Sequence, residues 1–322
     1  MKVSIALCTH NGERYLPEQL ASYCRQQRLP DELVACDDNS GDATVDLLQR
    51  FAKTAPFPVR VHLSAERLGP DRNFQRAVGA CQGDVIALSD QDDEWLPEKL
   101  AAMTQILQSS PLAGAVFCNA EITDEHLTPL GYDFWSRVGL TAAARRMAED
   151  GDTLALLIKR YRVAGAMLAF RAEYTRRLLP VPAGWYYDAW FALVLADQGV
   201  LRGTARVLQR YRQHRANLIG GARPSFAEQV RAGLQMSRED YYRMEIRRFE
   251  SALESIGRTP RPVPGGGAGP ALAAKLAHLR RRAALPRNRL LRIPRVAVEL
   301  LSGGYARYAT DWRSIAVDLL HR

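Results

Sequence analysis

Short apolar runs alternate with helically spaced segments over the first 120 residues. Val3–Cys8, Glu32–Cys36, Val59–Leu63, Val85–Leu88 and Gly114–Cys118 are runs of strand length, bounded by polar turns. Between them, Leu16–Arg25, Ala43–Ala52, Asn73–Ala80 and Pro97–Gln108 carry apolar positions at helical spacing. This alternation predicts a parallel sheet with helices on both faces. Beyond it the pattern loosens. Tyr161–Phe170 reads as a strand or buried segment containing Gly165, and Phe191–Ala196 as an apolar helix ended by Gly199. Val207–Tyr211 reads as a short strand, and Phe226 to Ser255 as an amphipathic helical region. Thr259 to Gly267 is a Pro/Gly-rich linker. Ala271–Ala284 reads as a helix rich in Arg and Ala, and Ile293–Leu301 as a short apolar segment. No internal repeat is present.

Open sheets of this kind bind ligands at the carboxyl ends of their strands. Three polar clusters fall there: Thr9-His10-Asn11, Asp37-Asp38-Asn39-Ser40 and Asp90-Gln91-Asp92-Asp93. The last places three carboxylates in four positions directly after an apolar run. Such groups repel one another and are costly to desolvate, and a cation offsets both effects. Hard oxygen ligands suit Mg²⁺ or Mn²⁺. The competing reading is a solvated acidic turn capping the next helix, with Pro97 near its start. Asn11 and Asn39 likewise suit simple turns, and Asp37-Asp38 a helix cap.

Composition narrows the class. At 322 residues, 47% hydrophobic and 25% charged, the chain can bury a large core, which excludes wholesale disorder. The net charge of +9 is uneven: residues 221–322 hold 19 basic and 9 acidic side chains, so a near-neutral body carries a basic tail. Five cysteines without paired spacing suggest free thiols in a reducing cytosol. The first apolar stretch is too short for a signal peptide, and no run approaches the roughly 20 residues of a membrane span. The expectation is a soluble or peripheral protein.

Val3-Ser4-Ile5-Ala6-Leu7-Cys8-Thr9-His10-Asn11-Gly12 resembles the opening strand of the inverting family-two glycosyltransferases. Asp37-Asp38-Asn39-Ser40-Gly41-Asp42-Ala43-Thr44 is similar to their second signature, and Ser89-Asp90-Gln91-Asp92-Asp93-Glu94-Trp95 to their Asp-x-Asp motif in its bacterial rhamnosyltransferase-like form. The resemblance covers about residues 1–220, with the motifs in the family's order. It implies an α/β GT-A fold, a Rossmann-like, mostly parallel sheet flanked by helices. Residues 1–120 would form the nucleotide-sugar-binding half and 121–220 the acceptor half, followed by a helical extension (221–258) and a linker with a basic helical tail (259–322).

By position, the resemblance places Thr9, Asn11 and Asn73 near the nucleotide sugar, and Asp37 or Asp38 on the pyrimidine edge. Asp90 would contact ribose or metal, Asp92 would be the main metal carboxylate, and Asp93 would support it. His214, in Gln209-Arg210-Tyr211-Arg212-Gln213-His214, would complete the metal site, with Arg212 supporting the phosphates. Asp188 matches the family's base before the acceptor-side helix and is the only acid between Glu173 and Asp197. Its bland role is a helix N-cap. Gly165 matches a small residue at the acceptor floor, where packing is an equal explanation. Trp185 and Trp190, flanking Asp188, are candidate sugar-stacking rings.

The Gln-x-x-Arg-Trp signature of processive synthases is not apparent, which points to addition of one or a few sugars. The expected reaction is metal-dependent (Mn²⁺ or Mg²⁺) inverting transfer from a dTDP- or UDP-sugar, dTDP-rhamnose or similar favoured. The acceptor would be a saccharide or lipid-linked saccharide of bacterial surface polysaccharide. Residues 259–322 would meet an anionic membrane at its inner, cytoplasmic face, since basic segments are drawn to anionic lipid. A solvated helical face or a homo-oligomer contact is the alternative there, and no nucleic-acid motif accompanies the charge. Two rivals stand beside this reading: a sugar-phosphate nucleotidyltransferase, for which Thr9–Arg14 has too few glycines, and a non-catalytic membrane-docking protein retaining the fold.

Overall fold

In the computed structural model the described residues are 1–214, 217, 237–257, 267–310 and 313–320. The first half follows the predicted alternation: β1 (Val3–Thr9), α1 (Leu16–Cys24), β2 (Glu32–Asp37), α2 (Thr44–Thr54), β3 (Val59–Leu63), α3 (Pro70–Ala80) and β4 (Val85–Ser89). Next come β5 (Glu94–Trp95), α4 (Lys99–Ser109), β6 (Ala115–Thr123) and β7 (Pro129–Asp133). Short helices follow, α5 (Phe134–Arg137), α6 (Ala142–Asp150) and α7 (Leu154–Lys159), then β8 (Leu168–Arg171) and α8 (Thr175–Leu178). α9 (Tyr187–Asp197) and β9 (Leu201–Arg212) complete the sheet domain.

The strands form one sheet in the order β3-β2-β1-β4-β8-β6-β9-β5, with β7 paired to β6. β1 to β4, β6 and β9 run one way; β5, β7 and β8 run against them. β1, β2 and β4 are buried along their whole length, so their apolar runs show no alternation. After β3 at one edge the chain crosses to the other side of β1 to lay down β4. That reversal opens a crevice at the carboxyl ends of β1 and β4, where such sheets hold ligands.

The second half departs from expectation in detail. Tyr161–Phe170 is not one strand: Gly165–Met167 is a single 3₁₀ turn leading into β8. β9 begins at Leu201, earlier than the predicted Val207. The helix predicted from Phe226 is described from Arg238, as α10 (Arg238–Gly257), and residues 226–236 lie outside the described residues, as does the linker at 259–266.

The carboxyl-terminal region is a packed layer. α10 lies along α11 (Ala268–Ala283), and α12 (Arg289–Leu301), α13 (Gly304–Tyr308) and α14 (Arg313–Leu320) follow. Leu272, Leu276 and Leu279 of α11 belong to the same core as the sheet. The Ala268 amide donates to Asp197 at 2.6 Å, tying α11 to the end of α9. Buried Asp318 gathers Tyr242 (2.8 Å), Tyr305 (2.7 Å) and Arg282 (2.6 Å) into one satisfied polar knot. No described helix is long and apolar enough to cross a membrane.

Candidate active site

The three polar clusters converge at the ends of β2, β1 and β4. Thr9 Oγ1 donates to Asp37 Oδ2 at 2.8 Å across the parallel pair β1–β2. Asp37 also accepts from the Ser40 amide (2.9 Å) and hydroxyl (2.6 Å). Asp38 accepts from the amides of Leu68 (2.6 Å) and Gly69 (2.9 Å), just ahead of α3. Both carboxylates therefore hold the floor of the crevice, with their acceptors engaged by protein donors. Asn11 and Asn39 sit at positive φ (47° and 60°), which an Asn tolerates well. Asn11 joins the two loops, its amide donating to Ser40 (2.9 Å) and its Oδ1 accepting from Gly41 (2.9 Å). From α3, buried Asn73 donates to the Cys36 carbonyl at 2.7 Å, while its Oδ1 is buried without a partner.

The acidic turn is held on several sides. Gln91 pairs reciprocally with the backbone of His10, at 2.8 and 3.0 Å, locking the turn to the end of β1. The two-residue strand β5 pairs with β9, Glu94 opposite Arg210 and Trp95 opposite Gln209. That register brings Gln209, Arg212 and His214 to the carboxylates. Asp93 Oδ2 accepts from Gln209 at 2.9 Å, and Oδ1 from the Arg212 amide at 3.2 Å. His214 Nε2 lies 2.8 Å from Asp92 Oδ2, its ring stacked on Tyr15 at 4.6 Å.

Carboxylate oxygens of Asp90, Asp92 and Asp93 lie within 4.8 Å of one another. Burial, then the Asp92 charge, pushes Asp90 up to about 8 and Asp93 well above the usual carboxylate range. A cluster of hard oxygens whose ionised form is this disfavoured fits a divalent cation. One compensating charge is built in. Lys99 is buried, donates to the Ala166 carbonyl (2.6 Å) and to Gln209 Oε1, and lies 3.9 Å from the centre of the Trp95 ring. Lys99, Gln209 and Asp93 thus form a chain behind the cluster, and desolvation lowers Lys99 to about 8.

Arg212 is held from several sides. Its guanidinium is buried and donates to the Asp92 carbonyl (2.7 Å), the Glu125 carbonyl (2.6 Å) and the Glu18 carboxylate, with its carbon 4.6 Å from the centre of the Tyr15 ring. These bonds pin the acidic turn to Glu18 and Glu125.

Asp188 lies in the first turn of α9 and is buried. One oxygen accepts from the Ala189 amide at 2.8 Å; the other accepts from the Gly165 amide at 3.1 Å and from the Tyr161 hydroxyl. Burial raises it to about 6 against these donors, and its charge in turn adds to the rise at Asp90, so the two sites face one field. Gly165 has no room for a side chain, because a Cβ would overlap the Tyr187 ring and hydroxyl. Tyr187 in turn stacks on Phe74 at 4.0 Å.

Trp185 and Trp190 are also corrected. Both are buried: Trp190 donates to the Leu178 carbonyl (2.9 Å), and Trp185 to the Arg248 carbonyl (2.9 Å) with its ring against Phe249. They weld α9 to α8 and α10 and present no face to a sugar. The exposed ring beside Asp188 is Tyr186, 52% accessible. Sequence reasoning also missed Tyr15, Gln91, Lys99, Tyr161 and Gln209. Gln91 and Gln209 lay inside the quoted motifs, but only the strand register shows what they hold.

The chain matches the Glycosyl transferase family 2 sequence model over residues 4–171. It belongs to that family. This glycosyltransferase is 26% identical to an uncharacterised glycosyltransferase of Nostoc over 250 residues, 74% of either chain. It is 25% identical to the dTDP-rhamnosyl transferase of Shigella flexneri over 263 residues, 77% of this chain and 84% of that one. Its fold is that of S. aureus TarS, solved with UDP-GlcNAc (TM-score 0.58, 14% identity, 90% of this chain and 74% of that one). A similar fold is found in the mannosyltransferase PcManGT of Pyrobaculum calidifontis, solved with GDP-Man and Mn²⁺ (TM-score 0.54, 19% identity, 99% and 87%). The expected GT-A architecture and glycosyltransferase class both hold. The nucleotidyltransferase and non-catalytic readings fall with this membership.

Proposed function

We propose that the enzyme transfers a sugar, with inversion at the anomeric carbon, from a nucleoside diphosphate sugar to a hydroxyl of a saccharide or lipid-linked saccharide acceptor. The observation that carries this is the pairing of a three-carboxylate cluster at the β1/β4 crevice with a buried, polarised Asp188 that shares its field. Asp90, Asp92 and Asp93, with His214 beside Asp92, would hold Mn²⁺ or Mg²⁺. When bound, that ion neutralises charge on the departing diphosphate. Asp188 accepts the proton of the acceptor hydroxyl as its oxygen bonds to the anomeric carbon. The bond from that carbon to the phosphate oxygen breaks, and its electron pair leaves with the nucleoside diphosphate. Tyr161 and the Gly165 amide fix the orientation of the base throughout.

Thr9, Asn11, Asp37, Asp38 and Asn73 shape the nucleotide side, where the buried Asn73 Oδ1 is without a partner and can accept from a donor. A dTDP-deoxyhexose such as dTDP-rhamnose is the favoured donor, supported by the likeness to the Shigella dTDP-rhamnosyl transferase. A UDP-sugar is second. The basic carboxyl-terminal region supports an acceptor presented at the inner face of a cell membrane in surface polysaccharide synthesis. A panel of nucleotide sugars, with Mn²⁺ and with chelator, scored by nucleoside diphosphate release, tests the reading. Release from one donor class, dependent on the ion, is expected; release from none would refute it.

A further inference from the structure

α12 is built inside out. In a surface helix the charged side chains face water and the apolar stripe faces the core. Here Arg292 and Glu299 are buried, at 2% and 6% exposure, while Leu290, Val298 and Leu301 stand 73%, 67% and 87% exposed. The inward face joins one apolar contact, Val296 in a small cluster with Leu285, Tyr305 and Ala309, to polar bonds: Arg292 donates to the carbonyls of Pro286 (2.6 Å) and Asp318 (3.0 Å), and Glu299 accepts from His278 (2.5 Å) and Arg281 (2.6 Å). The outward residues Leu290, Pro294, Val298 and Leu301 recur at i, i+4, i+8 and i+11, so they form one stripe. Leu291, Ile293 and Leu300 widen it, all of them exposed. An apolar face of this width on a folded protein marks an interaction site.

The charge around the stripe identifies its partner. By helical spacing, Arg289 and Arg295 border it on opposite sides, both exposed. Among the described residues from 268 to 320 the only acids are Glu299 and Asp318, and both are buried in ion pairs. The exposed charges around α12, among the described residues from 268 to 320, are therefore arginines alone, the exposed acids of the layer (Glu239, Asp240 and Glu250 among them) lying on α10. A second copy would set arginine against arginine, whereas a bilayer with anionic headgroups complements both the charge and the apolar stripe. A cavity of about 370 Å³, lined by Arg281, Leu285, Arg295 and Val298 among others, opens between α11 and α12 and extends this surface.

We propose that the outward face of α12 docks the enzyme on an anionic lipid bilayer, its apolar stripe in the acyl boundary and Arg289 and Arg295 at headgroup phosphates. This is the geometry of an interfacial helix. The proposal rests on the membrane-borne acceptor for its purpose, and vesicle binding and donor hydrolysis are read separately.

The test uses the full chain and vesicles of phosphatidylcholine with or without phosphatidylglycerol, read by flotation. Binding to the phosphatidylglycerol vesicles, weakened by salt, is expected. Leu290→Ser/Val298→Ser/Leu301→Ser should reduce it at least tenfold, each lost apolar contact being significant at this surface. Arg289→Gln/Arg295→Gln should reduce it about thirtyfold at low salt. Both variants should keep wild-type donor hydrolysis, and the triple-Ser variant wild-type thermal stability; the Arg pair should lose only the exposed bond from Arg295 to the Ala284 carbonyl (3.1 Å). Vesicle binding equal to wild type in the triple-Ser variant would overturn the proposal. So would a concentration-dependent dimer that this variant dissolves, with no vesicle binding, which would give the face to a second copy. Vesicle binding without donor hydrolysis would count against the proposed transfer reaction and leave this surface standing.

Discussion

A carboxylate that takes a proton near neutral pH needs a raised pKa and a fixed direction, and burial at the head of α9 gives Asp188 both. Its folded value of about 6 is raised by desolvation, so the ionised base is present above that pH and lost below it. The kcat/KM profile of donor-to-acceptor transfer should therefore show an acid limb near pH 6; a limb near 4, the ordinary value, would contradict this. The acidic turn works in the opposite sense for stability. Asp90 is raised to about 8 chiefly by burial and then by Asp92, so its ionised form strains the metal-free fold. Asp90→Asn should raise the metal-free Tm by a few degrees, on the order of 1 kcal/mol or more, while abolishing ion-dependent turnover. A lower Tm, measured calorimetrically with chelator present, would show that the cluster is not under such strain. Much of this was legible in the sequence, since the three clusters and Asp188 announce themselves by type and position. Trp185 and Trp190 misled because burial and bonding partners come from other elements. Lys99 gave no signal, as a lone lysine opening a helix looks like any solvated one.

At the scale of elements, legibility follows how continuously a segment is buried. β1, β2 and β4 are fully buried and stand out as apolar runs, so their strand ends, and hence the site, could be placed from sequence. β5 has two residues and no pattern of its own; its pairing with β9 exists because the acidic turn must meet Gln209 and Arg212. α9 is buried on every side and shows no helical period, so its beginning at Tyr187 was placed several residues late. Before it, the 3₁₀ turn at Gly165–Met167 replaces the expected strand because the Gly165 amide must reach Asp188 while Tyr187 passes over its α-carbon. Gly165→Ala should destabilise by roughly 1–3 kcal/mol through overpacking, measured by urea unfolding. It should also reduce turnover by displacing the base. Unchanged stability and turnover would remove Gly165 from the site.

Over the whole molecule, the finding least visible in the sequence is that the basic tail is part of the packed fold. Charge and composition marked it as an appendage behind a linker. In the fold α11 enters the main core, and Trp185 reaches α10, so the catalytic domain and the helical layer share buried surface. What the sequence could not show is the sidedness of α12, because apolar residues read as core until their burial is known. The shared core predicts one cooperative thermal transition for the chain, and Leu276→Ala should lower its stability by about 2–5 kcal/mol as a single unit. Two calorimetric transitions, with only one shifted, would make the layer independent. The central claim concerns the chemistry at the crevice, that Asp188 deprotonates an acceptor hydroxyl while the acidic turn holds the donor. Its most direct test compares wild type and Asp188→Asn for transfer rate and for donor binding by calorimetry with Mn²⁺. The account predicts transfer slowed by about 10²–10⁴-fold with donor affinity within a few-fold of wild type. Transfer at the wild-type rate in Asp188→Asn would contradict it.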